Sequence, residues 1–394
     1  MPGPDRRTFL QSTGLTAAAA ALAGFGPGPA AAAATGPFTP AGGRPQWKGN
    51  THSHINQGGL AVDPYGHLPR STGRQVLDRY RLHGYNFAVA QINLNVFSPN
   101  TDLAAEMNRP GQFLVIPSEE DSRLQGLHAD QIAADSIYDT LSLFNTRPVP
   151  QEPIPGSDGI APDNATATQV YIATREAIES VGGLASLAHP LLTYSGTVEV
   201  MLATRPRRRL SFFEVWNGEP GIPQNGGGGR PSTDQLWDAM LAAGHKVYAT
   251  AGDDGFPDYP IDAVRPGSIN WNAGRAWIMV WAPELSLAAL KHAMYRAHFY
   301  ATTGVVATDY QVRGGRISIT LPKADNSFHW SDADHNPTLF RTLFINQDGI
   351  AKPVKVDESL TPSYTAKKSD KYVRAKVLSS CNNEVAWFQP VFRR

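Results

Sequence analysis

A single cysteine, Cys381, stands among 394 residues. One cysteine excludes an internal disulfide and any cysteine-rich zinc site, so a bound metal must be held by histidine and carboxylate. Net charge is equally scarce, because 35 Lys and Arg balance 35 Asp and Glu. No field of one sign is present to favour nucleic acid or an anionic membrane. The one basic cluster, Arg205-Pro-Arg-Arg-Arg209, reads as a solvated loop ahead of a strand. The apolar run at residues 14–25 is interrupted and too short to span a bilayer. These absences leave a small-molecule substrate as the expected partner, with no nucleic acid and no stable membrane association.

The amino terminus reads Asp5-Arg6-Arg7-Thr8-Phe9-Leu10, followed by that modest apolar run and a Pro/Gly/Ala tract to Ala34. Paired arginines, a short apolar region and small residues before a cleavage point form a twin-arginine export signal. Residues 1–34 are therefore expected to be a leader, cut among residues 30–34, with the mature protein periplasmic or extracellular. Residues 35–45 read as a Pro/Gly linker. About 360 residues remain, enough for a large domain and a small one.

Lys48-Gly-Asn-Thr-His52-Ser-His54 opens the large domain. In an extended segment residues two apart share a face, so His52 and His54 can aim two imidazoles at one cation. His-x-His alone also arises by chance. Four further apolar runs each end abruptly in metal-type or polar residues. Residues 113–116 run into Pro117-Ser118-Glu119-Glu120. Residues 184–188 run into His189-Pro190. Residues 212–216 contain Glu214 and stop at Asn217-Gly218. Residues 246–251 run into Gly252-Asp253-Asp254. Short apolar runs of this kind read as buried parallel strands. In barrels of alternating strands and helices the site gathers at the carboxyl ends of the strands. Turn-forming Asn217-Gly218, or either aspartate alone, could instead be structural.

Helices are expected over residues 72–82, 165–181, 234–243 (with Asp234 as its cap) and 285–297, and further strands over 47–51, 87–92 and 276–281. Residues 129–162 read as a helix-like start followed by a Pro-rich loop at 148–162. Gly226–Gly229 lacks the Lys-Ser/Thr ending of a phosphate loop and reads as a flexible loop. From about residue 307 short alternating runs separated by turn residues predict antiparallel β structure: 310–312, 316–320, 339–345, 372–377 and 384–388. His83 and His245 read as helix-end or solvent histidines.

Taken in order, His52-Ser-His54, Pro-Ser-Glu-Glu120, Leu127-His128, Ala188-His189-Pro190, Glu214-Val-Trp-Asn217-Gly218 and Gly252-Asp-Asp254 resemble the PHP (polymerase and histidinol phosphatase) superfamily of metal-dependent hydrolases. The resemblance covers roughly residues 45–305 and is nearest to the exported, carbaryl-hydrolase-like branch, which adds a β-rich C-terminal domain. It implies an α/β fold: a distorted PHP-type (β/α)7 barrel over residues 46–305, with a small antiparallel β domain over 306–394. It also implies two divalent ions, for which His and carboxylate ligands suit Zn, Mn or Fe. One ion would use His52, His54, Glu120 and Asp254. The second would share Glu120 and use His128 and His189. Glu120, His189 and Asp254 would be catalytic, and Asn217 would bind substrate. Glu120 is preferred to Glu119, whose side chain would point to the opposite face.

The chain departs from the family pattern in three places. Asn56-Gln57-Gly58 stands where an Asp is usual, Gln91-Ile92-Asn93 replaces Thr-Asp-His, and Phe256 replaces a final His. By resemblance these positions serve a third metal, so their joint loss implies a site reduced to two. The implied activity is attack by metal-activated water on a phosphoester or an aryl ester or carbamate. The alternative is a catalytically silent ligand- or metal-binding protein on the same scaffold.

Overall fold

The computed structural model describes residues 45–55, 72–92, 100–124, 137–151, 166–192, 197–203, 211–219, 221–255, 273–322, 340–354, 360–380 and 383–392. The leader and linker, residues 1–44, lie outside these. So do His128, Asn56–Gly58, Asn93, Phe256 and the Arg205–Arg209 cluster.

The strands do not close into a (β/α)7 barrel. They form sheets of nine, five, three and two strands. The nine-stranded sheet runs Gly349–Val354, Phe340–Asn346, Tyr372–Ser379, Val385–Phe392, Phe299–Thr302, Trp277–Trp281, Gln46–Asn50, Phe87–Val89 and Leu114–Ile116. Its last three strands are parallel neighbours, as a βα unit requires, but Trp277–Trp281 lies antiparallel to Gln46–Asn50 and to Phe299–Thr302. Val385–Phe392 then pairs with Phe299–Thr302 and carries the C-terminal strands onto the same sheet. The edge at which a barrel would close is thus occupied by strands from the end of the chain.

The five-stranded sheet runs Val247–Gly252, Ser211–Asn217, Leu184–Leu187, Ile137–Leu143 and Ser118–Leu124. Its first three strands are parallel and its last two form an antiparallel hairpin. Pro117, which has no amide hydrogen to donate, separates Leu114–Ile116 in one sheet from Ser118–Leu124 in the other. Residues 129–162 therefore contribute a strand where a helix was expected.

Three helices start with a capping box: Thr72 with Gln75, Thr166 with Gln169, and Ser232 with Gln235. In each, the Ser or Thr accepts from the third amide of the helix while the Gln reaches back, so two otherwise unpaired donors are satisfied. Asp234 is not the cap expected of it; Ser232 is, and the Asp234 carboxylate is free to bind elsewhere. Short Thr101–Met107 and Val198–Ala203 helices add to the four expected ones. Among the described residues no helix is long and apolar enough to cross a membrane. Gly226–Gly229 all have positive φ, and a Cβ on Gly226 would lie 2.5 Å from the Arg230 carbonyl. That loop needs glycine for its backbone path.

Candidate metal centre

The site forms where the carboxyl ends of strands from the two large sheets meet. Past Gln46–Asn50 the chain turns, and His54 enters a two-residue strand parallel to Gln91–Ile92. The His-x-His segment is tied to the end of Val247–Gly252 by two backbone bonds, Asp254 N to His52 O at 2.8 Å and His54 N to Gly255 O at 3.0 Å. Gly252 permits the approach. A Cβ at that position would sit 2.6 Å from His52 Cβ and 2.9 Å from Glu214 Oε1.

Glu120 comes from the antiparallel hairpin, where it faces Leu141. Its neighbour Glu119 points away and accepts from Val149 N at 3.0 Å. Burial pushes the Glu119 carboxyl up to about 7. His189 follows the Leu184–Leu187 strand, and Asp254 follows Val247–Gly252. Both adopt left-handed backbone, at φ 22° and 47°. Such conformations cost about 1–3 kcal/mol each and persist where the surroundings fix them. Here Glu214 Oε2 accepts from His189 N at 2.9 Å, and His52 O from Asp254 N. Of the adjacent aspartates only Asp254 enters the cluster. Asp253 turns back to accept from Tyr85 Oη (2.8 Å), Arg275 N (2.7 Å) and Ala276 N (2.9 Å), which makes it an anchor for the chain beyond.

Three imidazoles and two carboxylates converge. His52 Nε2 lies 3.2 Å from Glu120 Oε1 and 3.2 Å from Asp254 Oδ1. His54 Nε2 lies 3.3 Å from Glu120 Oε2 and 3.1 Å from Asp254 Oδ1. His189 Nε2 lies 3.5 Å from Glu120 Oε1 and 3.8 Å from Asp254 Oδ2. All five side chains are buried. Asp139, on the Ile137–Leu143 strand, also reaches the cluster, with Oδ2 3.5 Å from His189 Nε2.

Behind these groups lies a second ring. Glu214 Oε1 is 3.0 Å from His52 Nδ1, so that the opposite nitrogen is the one presented to the carboxylates. Such a carboxylate fixes the tautomer and orientation of a ligating histidine. Asn217 Nδ2 donates to Glu214 Oε2 (2.7 Å) and Asp254 Oδ2 (3.0 Å). In the sequence Glu214 stands out only as part of a motif, and Asp139 belongs to none. His245 flanks a helix end as expected, just past Thr233–Ala242 with its amide on Met240 O, but it is buried and does not face solvent.

The donor set suits a divalent cation. Ligand atoms of His52, His54 and Glu120, of His52, His189 and Asp254, and of Glu120, Asp139 and His189 lie within 4.8 Å of one another in each group. His52 Nε2 is buried and makes no hydrogen bond of acceptable geometry, although two carboxylate oxygens flank it. An atom placed between acceptors rather than aimed at one is placed as a ligand would be. Burial works against charge on these groups, but the carboxylates outweigh it for the imidazoles. Asp254, Glu214 and Glu120 hold His52 well above its ordinary value, and Glu120 with Asp139 and Asp254 raises His189 to about 9. Burial is likewise overcome at Glu120, held well below the usual carboxylate range by His52 and His54, and at Asp254, lowered to about 2 chiefly by His52.

Without a cation, protons supply the positive charge. Ligation requires neutral imidazole, so binding must release them. Apparent metal affinity should rise with pH up to about 9, the His189 value. Calorimetric titration in buffers of different ionisation enthalpy would show the released protons. An affinity flat from pH 6 to 9 would contradict this assignment.

No protein-family model matches the chain, and no curated protein matches it. Among solved structures it is similar to a two-domain protein of Bacteroides vulgatus described as containing a predicted PHP-like metal-dependent phosphoesterase. Identity is 13%, the TM-score is 0.39, and the match covers 90% of this chain and 96% of that one. So loose a superposition carries no weight for the chemistry, which rests on the geometry of the cluster itself.

Proposed function

We propose that the protein is an exported metal-dependent hydrolase of the PHP phosphoesterase type, holding two divalent cations of zinc, manganese or iron and acting on a small molecule. The observation that carries this reading is the buried convergence of three Nε2 atoms on the carboxylates of Glu120 and Asp254, at 3.1–3.8 Å.

His52, His54, Glu120, His189 and Asp254 are the described residues of the motif series that would hold the cations. Glu120 turns Oε1 towards His52 and His189 and Oε2 towards His54, so its two oxygens can serve two positions. A divalent pair, when bound, lowers the pKa of a coordinated water and stabilises negative charge developing on the substrate. Glu214 holds the His52 ring and the His189 backbone, and Asn217 holds Asp254 against Glu214. The protein's part is therefore preorganisation: the ligands need not move when substrate enters.

The altered positions at Gln91-Ile92-Asn93 and Phe256 bear on substrate class. A third cation would favour a dianionic phosphate monoester. By the family resemblance Ile92 and Phe256 stand at sequence positions that would serve it, and apolar side chains offer no hydrogen bond to desolvated phosphate oxygens. Diesters, aryl esters or carbamates are the better candidates. Two measurements test this on purified protein: metal content, expected near two equivalents, and turnover of p-nitrophenyl phosphate, bis-p-nitrophenyl phosphate, p-nitrophenyl acetate and an aryl carbamate. Metal far below one equivalent would favour the silent binding protein. Monoester turnover above all the others would overturn the substrate assignment. Export is checked separately: with Arg6 and Arg7 both changed to Lys, precursor should stay in the cytoplasm, and undiminished export would refute the twin-arginine route.

A further inference from the structure

We infer that Asp139 is a ligand of the second cation, sharing its position with Glu120 and His189. This rests on the metal-dependent reading above and adds to it a residue that the motif series does not contain. Asp139 sits inside a buried strand, 4% exposed. Aspartate is disfavoured within strands, and this one is directed into the cluster, its Oδ2 3.5 Å from His189 Nε2. Its placement follows from register. Glu120 pairs with Leu141 across the hairpin, so Asp139, two residues from Leu141, shares the Glu120 face. On its other side the Asp139 carbonyl accepts from Ala188 N at 2.9 Å, which brings it beside His189.

The side of the imidazole on which Asp139 lies separates a ligand from an orienting carboxylate. Glu214 meets His52 at Nδ1, 3.0 Å away, on the far side of the ring from the cluster. That is the position from which a carboxylate orients a ligating histidine. Asp139 meets His189 at Nε2, the same nitrogen that faces Glu120 and Asp254. It therefore stands inside the cluster. The ligand atoms of Glu120, Asp139 and His189 all lie within 4.8 Å of one another.

The test uses the full mature chain, stripped with chelator and titrated with Co(II), with metal content measured in parallel and thermal melting as the folding control. Wild type should take up two equivalents. Asp139→Asn keeps the shape and loses the charge. It should bind the first equivalent as wild type does and the second more than about tenfold more weakly. Asp139→Cys supplies a direct readout: a thiolate ligand should add a sulfur-to-cobalt charge-transfer band that wild type, with only Cys381, lacks. Two full-affinity equivalents in the Asn variant, or a folded Cys variant that loads cobalt without the band, would overturn the assignment and leave the metal-dependent reading intact. A wild-type protein that binds no cobalt would sink both.

Discussion

Glu120→Gln should reduce turnover by roughly 10²–10³-fold, the loss typical of removing one charge-stabilising group from a preorganised site. It should also lower bound metal from about two equivalents to one or fewer. Glu120, like Asp254, approaches all three imidazoles, at 3.2 Å from His52, 3.3 Å from His54 and 3.5 Å from His189. Glutamine matches its shape but removes the negative charge that offsets repulsion between two cations. It also turns one oxygen into a donor facing the histidines. Glu119→Gln makes the same chemical change one residue away. Its carboxylate accepts from Val149 N on the opposite face, so that variant should keep both ions and most activity. Plasma emission spectrometry of the two proteins, with steady-state kinetics on the best substrate of the panel, decides the matter. Equal metal content in the two variants would show that Glu120 is not a shared ligand.

Much of this site could be read from sequence because each group follows a short apolar run. His189 after Leu184–Leu187, Glu214 and Asn217 in Ser211–Asn217, and Asp254 after Val247–Gly252 sit where buried strands end. Strand existence is a local property of composition and period. Strand order is not. The expected barrel failed because the partner of Phe299–Thr302 is Val385–Phe392, more than eighty residues on, and no local pattern announces such a pairing. Asp139 was lost for a different reason. From Asp139 to Leu143 the strand does alternate, with Asp139, Leu141 and Leu143 on one face and Thr140 and Ser142 on the other. An aspartate on the apolar face breaks the pattern that would have identified the strand. The break is itself the signal, because a carboxylate on a core face calls for a counter-charge.

Replacing Asp234 and Asp238 together by Asn should destabilise the fold by about 3–5 kcal/mol, the cost of stranding a buried charge. Arg374, on the Tyr372–Ser379 strand, is 1% exposed. Its Nε and one terminal nitrogen donate to the two oxygens of Asp238, both at 2.7 Å, and Asp234 lies 3.0 Å away. Its guanidinium also sits 4.7 Å from the centre of the Trp237 ring. Both aspartates belong to the Thr233–Ala242 helix, which packs on the five-stranded sheet. The cluster thus fastens a C-terminal strand to the layer that carries Glu214 and Asp254. Burial opposes ionisation of Asp234, but Arg374 and Lys376 hold its carboxyl below the usual value. A lowered carboxyl stabilises the fold above its unfolded value of about 4 and stops doing so as pH falls through the folded value. The cluster should therefore contribute at neutral pH and fade in acid. Adding Arg374→Met to the double variant should recover much of the loss, because an apolar side chain of similar length leaves no charge to compensate. Urea unfolding followed by tryptophan fluorescence reports on the region directly, since Trp237 and Trp387 adjoin the cluster. If the double variant unfolds at the wild-type midpoint, or if Arg374→Met makes it worse, then Arg374 is held by packing and not by its ion pairs.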